Sequence, residues 1–344
     1  MTEQKFPFAS VVVVTFNRGD KINPCLEGLK RQAYPKDRYE VIVIDDGSTD
    51  DTAELVGAQG IRVISHEVNR GIPSARNTGL AAARGEVVAY IDDDAIADQD
   101  WLKYLVQPFS DPEVTASGGR TFAYKTDHIA ERYLSAVEYG NPAPLGFGKS
   151  KNPLWRFLVY LKDMFVPVSI ATKPTEVQAV FGLNCAYRTS VLRAIGGFDE
   201  VLLAAEDAEI STRLRKNGAR IIFIPDAIIR HRHRESLDYL IRQTYRRTEH
   251  LLYYYAKEKK TLPIFPLPLL YVVIAIVFFG ANPVVGLSFV VLGPLVLYSW
   301  WPIKAFRNHN FEYLIYGYIQ LSLELATVLG LVRGKLRRIK VARA

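Results

Sequence analysis

The sequence predicts an α/β domain with a mostly parallel sheet, followed by α-helical membrane segments. Three observations carry this. Short β-branched runs alternate with helix-like stretches through the first hundred residues, the pattern of strands joined by crossovers. One such run, Val87–Ile91, stays apolar and then ends in three consecutive carboxylates, Asp92, Asp93 and Asp94. From Thr261 to Ile303, 43 residues pass without an Asp, Glu, Lys, Arg or His, far beyond the ~20 apolar residues that span a bilayer.

Ser10–Val14 reads as a fully buried first strand. Asp20–Gln32 is helix-like, with Ile22, Leu26 and Leu29 on one face. Tyr39–Ile44 is the second strand. It ends in Asp45-Asp46-Gly47-Ser48-Thr49-Asp50, which supplies caps for a helix from Asp51. Ile61–Ser65 is a third strand, Asn69–Pro73 a turn, Ser74–Ala83 a small-residue helix, and the strand ending in the triple Asp follows. Crowded carboxylates raise one another's pKa, and a divalent cation removes that cost; Mg²⁺ and Mn²⁺ favour hard oxygen ligands. A solvated acidic turn explains Asp-Asp-Asp alone equally well.

In order, Val11–Asn17, Asp45-Asp46-Gly47-Ser48, Asn69-Arg70-Gly71, Ala75-Arg76-Asn77-x-Gly79, Ala83-x-Gly85-Glu86 and Asp92-Asp93-Asp94 resemble the nucleotide-sugar domain of family-2 glycosyltransferases. The resemblance implies a GT-A fold and sugar transfer from a nucleoside-diphosphate sugar with inversion at the anomeric carbon. It assigns Thr15, Phe16 and Asn17 to the loop lining base and ribose, Asp46 to a base N–H, and Asp93 to ribose or sugar hydroxyls. Asp94, with Asp92, would ligate Mn²⁺ or Mg²⁺, which neutralises the departing diphosphate. Arg76 faces either the diphosphate or a carboxylate. Asp45 and Asp50 read as capping or solvated residues.

Trp101–Phe109 and Thr126–Tyr139 are helix-like, Glu113–Tyr124 contains a strand, and Asn141–Pro153 is loop. An aromatic stretch within 153–170 fits either the headgroup region or a buried helix. Glu176–Arg188 is strand, turn and Asn184-Cys185-Ala186-Tyr187-Arg188. With Gly196-Gly197-Phe198-Asp199-Glu200 it resembles the family's acceptor-side segment, bringing in Asn184 and Glu206. Glu206-Asp207 opens a helix to Asn217. Carboxylates there suit the helix dipole; the family's spacing makes Asp207 a general base, since a sugar hydroxyl is a poor nucleophile. A lipid phosphate needs no base, so the pair favours a hydroxyl on a lipid-linked or growing glycan; the alternative is a polyprenyl-phosphate glycosyltransferase. After a strand at Ala219–Pro225 comes Ile229-Arg230-His231-Arg232-His233-Arg234, where the family often completes its metal shell with a His, here His231 or His233. Gln243-Thr244-Tyr245-Arg246-Arg247 only partly matches the Gln-x-x-Arg-Trp of processive synthases.

These boundaries give a catalytic domain over 1–235, a connector helix over 236–260 and a membrane domain over 261–344. Gly280-Ala281-Asn282-Pro283 breaks the apolar run into spans near 263–280 and 283–301. Lys257, Lys259 and Lys260 before it, and Lys304 and Arg307 after, put both ends and the catalytic domain in the cytoplasm. The segment 311–332 is either a third span or an interfacial or re-entrant helix, and the basic tail from Arg333 suits anionic lipid. The formal charge is +7 and the pI about 9.2, but the cations cluster beside apolar segments, which argues for the bilayer and against nucleic acid. Two distant cysteines make no disulfide framework or zinc motif, no signal peptide is expected at the N-terminus, and oligomeric state stays open.

Overall fold

The structure, a computed structural model, describes residues 6–142, 152, 154–155, 157–158, 161–162, 170–202, 204–233, 235–260 and 266–341. Most of the loop expected at Asn141–Pro153, most of the stretch 153–170, Arg234 and the first residues of the expected first span therefore lie outside the described residues. The chain forms two compact units: Met1–Thr126, Leu134–Leu145 and Ile170–His233; and Asp127–Tyr133, Gly146–Ser169 and Arg234–Ala344.

The first unit is organised on a nine-stranded sheet. Its strands are β1 (Ala9–Thr15), β2 (Tyr39–Asp45), β3 (Arg62–Ser65), β4 (Val87–Asp92), β5 (Ala95–Ala97), β6 (Val114–Ala123), β7 (Thr175–Glu176), β8 (Asn184–Arg188) and β9 (Arg220–His231). Their order is β3-β2-β1-β4-β8-β6-β9-β5, with β7 on β9. β3, β2, β1 and β4 are parallel, as the crossovers require. Beyond β4 the expected parallel sheet becomes mixed: β8 enters antiparallel between β4 and β6, and β5 and β7 run antiparallel to β9.

Alternation along β1 explains the layers. Val11 and Val13 join one apolar cluster with Leu26 and Leu29 of α1 (Asn23–Lys30) and Trp101, Leu102 and Leu105 of α4 (Trp101–Val106). Val12 joins the other, with Ala75 and Leu80 of α3 (Ile72–Ala82). Both faces are covered, so β1 is apolar from Val11 to Val14. Between these elements lies α2 (Thr52–Gly57), and further on come α5 (Ile129–Ala136) and α6 (Thr189–Ala194). The expected helix at Asp20–Gln32 begins as a 3₁₀ turn, Gly19–Ile22, before Pro24 starts α1. β9 runs six residues past the expected end at Pro225; the proline is accommodated where its register against β6 shifts between Gly119 and Arg120. The pair Glu206-Asp207 opens α7 (Glu206–Lys216), directly after Ala205 at φ +67°.

In the second unit, Ser236 caps α8 (Leu237–Lys257), accepting from the Tyr239 amide. α9 (Pro266–Ala281) and α10 (Pro283–Leu297) form a hairpin, with Asn282 capping α10. α9 as described has 16 residues and α10 has 15, about 24 and 22 Å at 1.5 Å per residue, shorter than a ~30 Å hydrocarbon core. The expected second span stops at Leu297, and the chain bends by 73° into α11 (Trp300–Arg307). α12 (Tyr313–Val341) contains Tyr313–Leu336, the one described helix long and apolar enough to cross a membrane unaided. Its Gly330 faces the backbone of Tyr245 and the side chain of Thr248 on α8. The segment Asp127–Tyr133, expected to belong to the catalytic domain, groups here: Arg132 is bidentate to Glu312 at 2.8 and 2.9 Å, and Tyr133 packs edge-on to Tyr316.

Candidate active site

Register lines up the strand ends. Thr15 lies opposite Asp45, Val14 opposite Asp92, and Asp45 opposite Ser65. Every loop that follows therefore emerges at one carboxyl edge, where ligands of open α/β sheets bind.

The triple Asp forms the centre. Arg18 is bidentate to Asp93, its Nε 3.0 Å from both oxygens and its Nη2 2.8 Å from Oδ1. The same Nη2 donates to Asp94 Oδ2 at 2.7 Å. The other Asp94 oxygen lies 3.0 Å from His231 Nε2, and Asp92 lies 3.8 Å from that nitrogen. β5 makes this arrangement possible: it turns back from Asp94 and pairs Ala95 with His231 on β9. Ligand atoms of Asp92, Asp94 and His231 fall within 4.8 Å of one another. The two hard carboxylates suit Mn²⁺ or Mg²⁺, and the imidazole adds a third ligand that neither ion prefers. Of the two candidate histidines, His231 is the one brought to the carboxylates; His233 stands behind it, Nδ1 to Nδ1 at 3.2 Å. Burial pushes Asp92 and Asp93 above the usual carboxylate range, although Arg76 pulls Asp92 down and Arg18 pulls Asp93 down.

Arg76 pairs with two carboxylates. It is buried, 2.8 Å from Glu206 and 3.6 Å from Asp92, and lies beside the edge-on pair of Tyr90 and Phe198 rings. Burial opposes its charge, but Glu206 and Asp92 outweigh that and hold it firmly protonated. A Cβ at Gly182 would lie 2.6 Å from the Arg76 Cζ, so any larger residue there would displace the guanidinium. Asp207 accepts the Gly182 and Ala208 amides at 3.3 and 2.7 Å. Burial, then the neighbouring Glu206, pushes its carboxyl up to about 6, against the pull of Arg76.

Asn17, at φ +50°, ties two loops: its amide donates to Ser48 Oγ and its Oδ1 accepts from the Thr49 amide, each at 2.8 Å. Asn tolerates this left-handed backbone. Thr15 is buried and Phe16 exposed. Asp46 is buried under the next loop, with Oδ1 2.7 Å from His66 Nδ1 and accepting from the Arg70 amide at 2.9 Å, and Oδ2 accepting from the Gly71 amide at 2.8 Å. A base N–H would have to share those oxygens. Gly47, at φ +78°, lies where a Cβ would strike the Val68 and Asn69 backbone. Asp45 is buried and accepts from Ser48; Asp50 accepts from the Thr52 amide, as a capping residue does.

Asn184, on the acceptor-side segment, is buried at the start of β8. Its Oδ1 accepts from Trp101 Nε1 at 2.8 Å, and its amide donates to the Arg120 and Ala227 carbonyls at 3.1 and 3.2 Å. The demand of three buried groups for a partner explains an amide there. Arg18 and His66 escaped the sequence reading. Neither sits in a pattern that signals it; their carboxylate partners are 75 and 20 residues away.

A family model described as "Glycosyl transferase family 2" matches residues 10–195, and one described as "Glycosyl transferase family group 2" matches residues 150–319. The chain is 32% identical over 230 residues to a pre-mycofactocin glycosyltransferase of Mycobacterium tuberculosis, a match covering 63% of this chain and 43% of the relative, so it spans less than half of that protein. It is 25% identical over 291 residues to a glucosyl-dolichyl phosphate glucuronosyltransferase of Haloferax volcanii, covering 77% of this chain and 84% of that one. Among solved structures, the mannosyltransferase PcManGT from Pyrobaculum calidifontis, in complex with GDP-Man and Mn²⁺, aligns over 95% of this chain and 88% of its own with a TM-score of 0.59 at 22% identity, and shares the GT-A fold. With more than half of its length under the first of these family models, the chain belongs to glycosyl transferase family 2.

Proposed function

We propose that this protein is a membrane-anchored, metal-assisted inverting glycosyltransferase. It moves a sugar from a nucleoside-diphosphate sugar to a hydroxyl of a lipid-linked or growing glycan. The observation that carries the reading is the meeting of Asp92, Asp94 and His231 at the carboxyl edge, with the half-buried Asp207 in the same unit. The relative named for glucosyl-dolichyl phosphate and the mannosyltransferase holding GDP-Man and Mn²⁺ support the acceptor class, the donor class and the ion respectively.

Asp94, Asp92 and His231 Nε2 would hold Mn²⁺ or Mg²⁺, which supplies charge neutralisation for the departing diphosphate. For Nε2 to ligate, His231 must carry its proton on Nδ1 and donate it to His233, the usual partner arrangement for a ligating imidazole. Asp207 takes the proton of the acceptor hydroxyl. That oxygen attacks the anomeric carbon, the bond to the phosphate oxygen breaks, and the nucleoside diphosphate leaves with the electron pair. Thr15, Phe16, Asn17 and Asp46 line the nucleoside side, Asp93 meets ribose or sugar hydroxyls, and Glu206 keeps Arg76 within reach of the phosphates. The α9–α10 hairpin and α12 together form the anchor, with the catalytic unit on the cytoplasmic side, and the lipid bilayer is a partner.

The reading is tested with purified full-length protein, a panel of nucleotide sugars and host lipid extracts. Mn²⁺-dependent transfer is expected, falling at least a hundredfold in Asp94→Asn. Transfer unaffected by chelator and by that substitution would refute the metal assignment. Product found as sugar on a bare polyprenyl phosphate would replace the hydroxyl acceptor with the lipid-phosphate alternative.

A further inference from the structure

Arg18 stands out because nothing in the proposed chemistry uses it, yet it makes the densest set of contacts to the triple Asp. Its backbone is fixed: the Arg18 and Gly19 amides both donate to Thr52 Oγ1, at 3.0 and 2.8 Å. Its side chain is one-quarter exposed, whereas those of Asp93 and Asp94 are each 9% exposed. The guanidinium grips Asp93 through two nitrogens but reaches Asp94 through one, Nη2, which it also shares with Asp93. The Asp94 contact is thus the one that can be given up while Nε keeps both oxygens of Asp93.

The charge balance points the same way. Asp92, Asp93, Asp94 and Glu206 face two guanidiniums, Arg18 and Arg76. With Asp207 also beside Glu206 and Arg76, carboxylates outnumber guanidiniums, an excess of negative charge that a divalent cation would reduce. Without the cation, like charges so close are costly when buried, and Arg18 relieves part of that cost at the oxygen-rich ligand the cation would need.

We propose that Arg18 is a built-in counter-cation that holds Asp94 in the metal-free protein and competes with the divalent ion for it. Metal entry breaks the Arg18–Asp94 contact and leaves the Arg18–Asp93 pair in place. The competition sets the ion's affinity below what Asp92, Asp94 and His231 would otherwise give, and it keeps the carboxylate tip ordered between turnovers. The inference rests on the proposed metal role of Asp94.

The test is Mn²⁺ binding to the full chain without substrate, read by electron paramagnetic resonance of the free ion. Arg18→Gln should bind Mn²⁺ about tenfold more tightly than wild type, within the range of ordinary coupling between two ligands for one site. Arg18→Lys, a single point charge that cannot bridge both carboxylates, should fall between them. The second reading is thermal stability: Arg18→Gln should lose most of its deficit when Mn²⁺ replaces chelator. Both variants binding within twofold of wild type or more weakly, or an equal stability deficit with and without Mn²⁺, would overturn the competition and leave the metal assignment standing. Wild type that binds no Mn²⁺ would overturn both.

Discussion

Asp207→Asn should move activity and stability in opposite directions. The carboxyl is raised from 3.8 to about 6, by burial first and then by Glu206. A displacement of that size corresponds to about 3 kcal/mol against the charged form. This is an upper limit for stability, because the side chain is only half-buried. The folded carboxyl binds its proton more tightly than the unfolded chain does. Between pH ~4 and pH ~6 the folded state is therefore the more protonated one. Ionised Asp207 weighs against folding above about pH 6, and the cost disappears as the pH falls to about 4. Removing the charge with Asn should raise the melting midpoint at pH 7.5 by a few degrees and leave it unchanged near pH 4. A catalytic base must be ionised, so activity has the reverse dependence. In wild type, kcat/KM at constant ionic strength should rise through an acid limb with its midpoint near 6, with about one-tenth of the plateau left at pH 5. The Asn variant should lose roughly 10²–10⁴-fold in kcat. An acid limb centred near 4, or a variant that is less stable than wild type at pH 7.5, would refute the buried-base reasoning.

Two further outcomes follow from packing. Gly182→Ala should force the Arg76 guanidinium off Glu206, since the new Cβ would overlap it; kcat/KM for sugar transfer should fall by about 10–100-fold, the scale of 1–3 kcal/mol, while far-UV circular dichroism stays unchanged. The hairpin orientation is read with single cysteines in sealed vesicles, because Cys25 and Cys185 are buried and silent: Lys260→Cys and Arg307→Cys should react with an impermeant maleimide from the cytoplasmic face, and Gly280→Cys, where a side chain has open space, should not. Flanks that react from opposite faces would rule out the hairpin.

What the sequence disclosed, and what it withheld, has a common physical cause. Features confined to one element were legible. The alternating strands and helices of the first hundred residues, and the carboxylates ending β4, follow from local periodicity and local chemistry. Glu206-Asp207 at the start of α7 is equally local, and so is the Gly280–Pro283 break. Features created by pairing between distant segments were not. The mixed half of the sheet depends on β8 inserting antiparallel beside β4, which no period within Asn184–Arg188 encodes. His231 and His233 are equivalent by spacing; only the register of β5 on β9, through a strand three residues long, puts His231 against Asp94. Asn184 is marked in the sequence only by its place in the acceptor-side segment, and its buried hydrogen bonds with Trp101, Arg120 and Ala227 come from distant segments.

Arg18 is the sharpest case. A single arginine after Asn17 carries no periodic or motif signal, and its meaning comes from two carboxylates on a strand 75 residues away. Such long-range charge pairing is also where a site can store a choice between two cations. A guanidinium and a divalent ion answer the same excess of negative charge, and both draw on the Asp94 carboxylate, Arg18 at Oδ2 and the proposed ion beside His231. An arginine fixed through its backbone to Thr52, with its side chain one-quarter exposed, can yield its Asp94 contact without unmaking the loop. A guanidinium as deeply enclosed as that of Arg76, set beside two rings and two carboxylates, cannot. The difference in burial between these two arginines is why the first is assigned to exchange with metal and the second to hold the scaffold on which Asp207 acts.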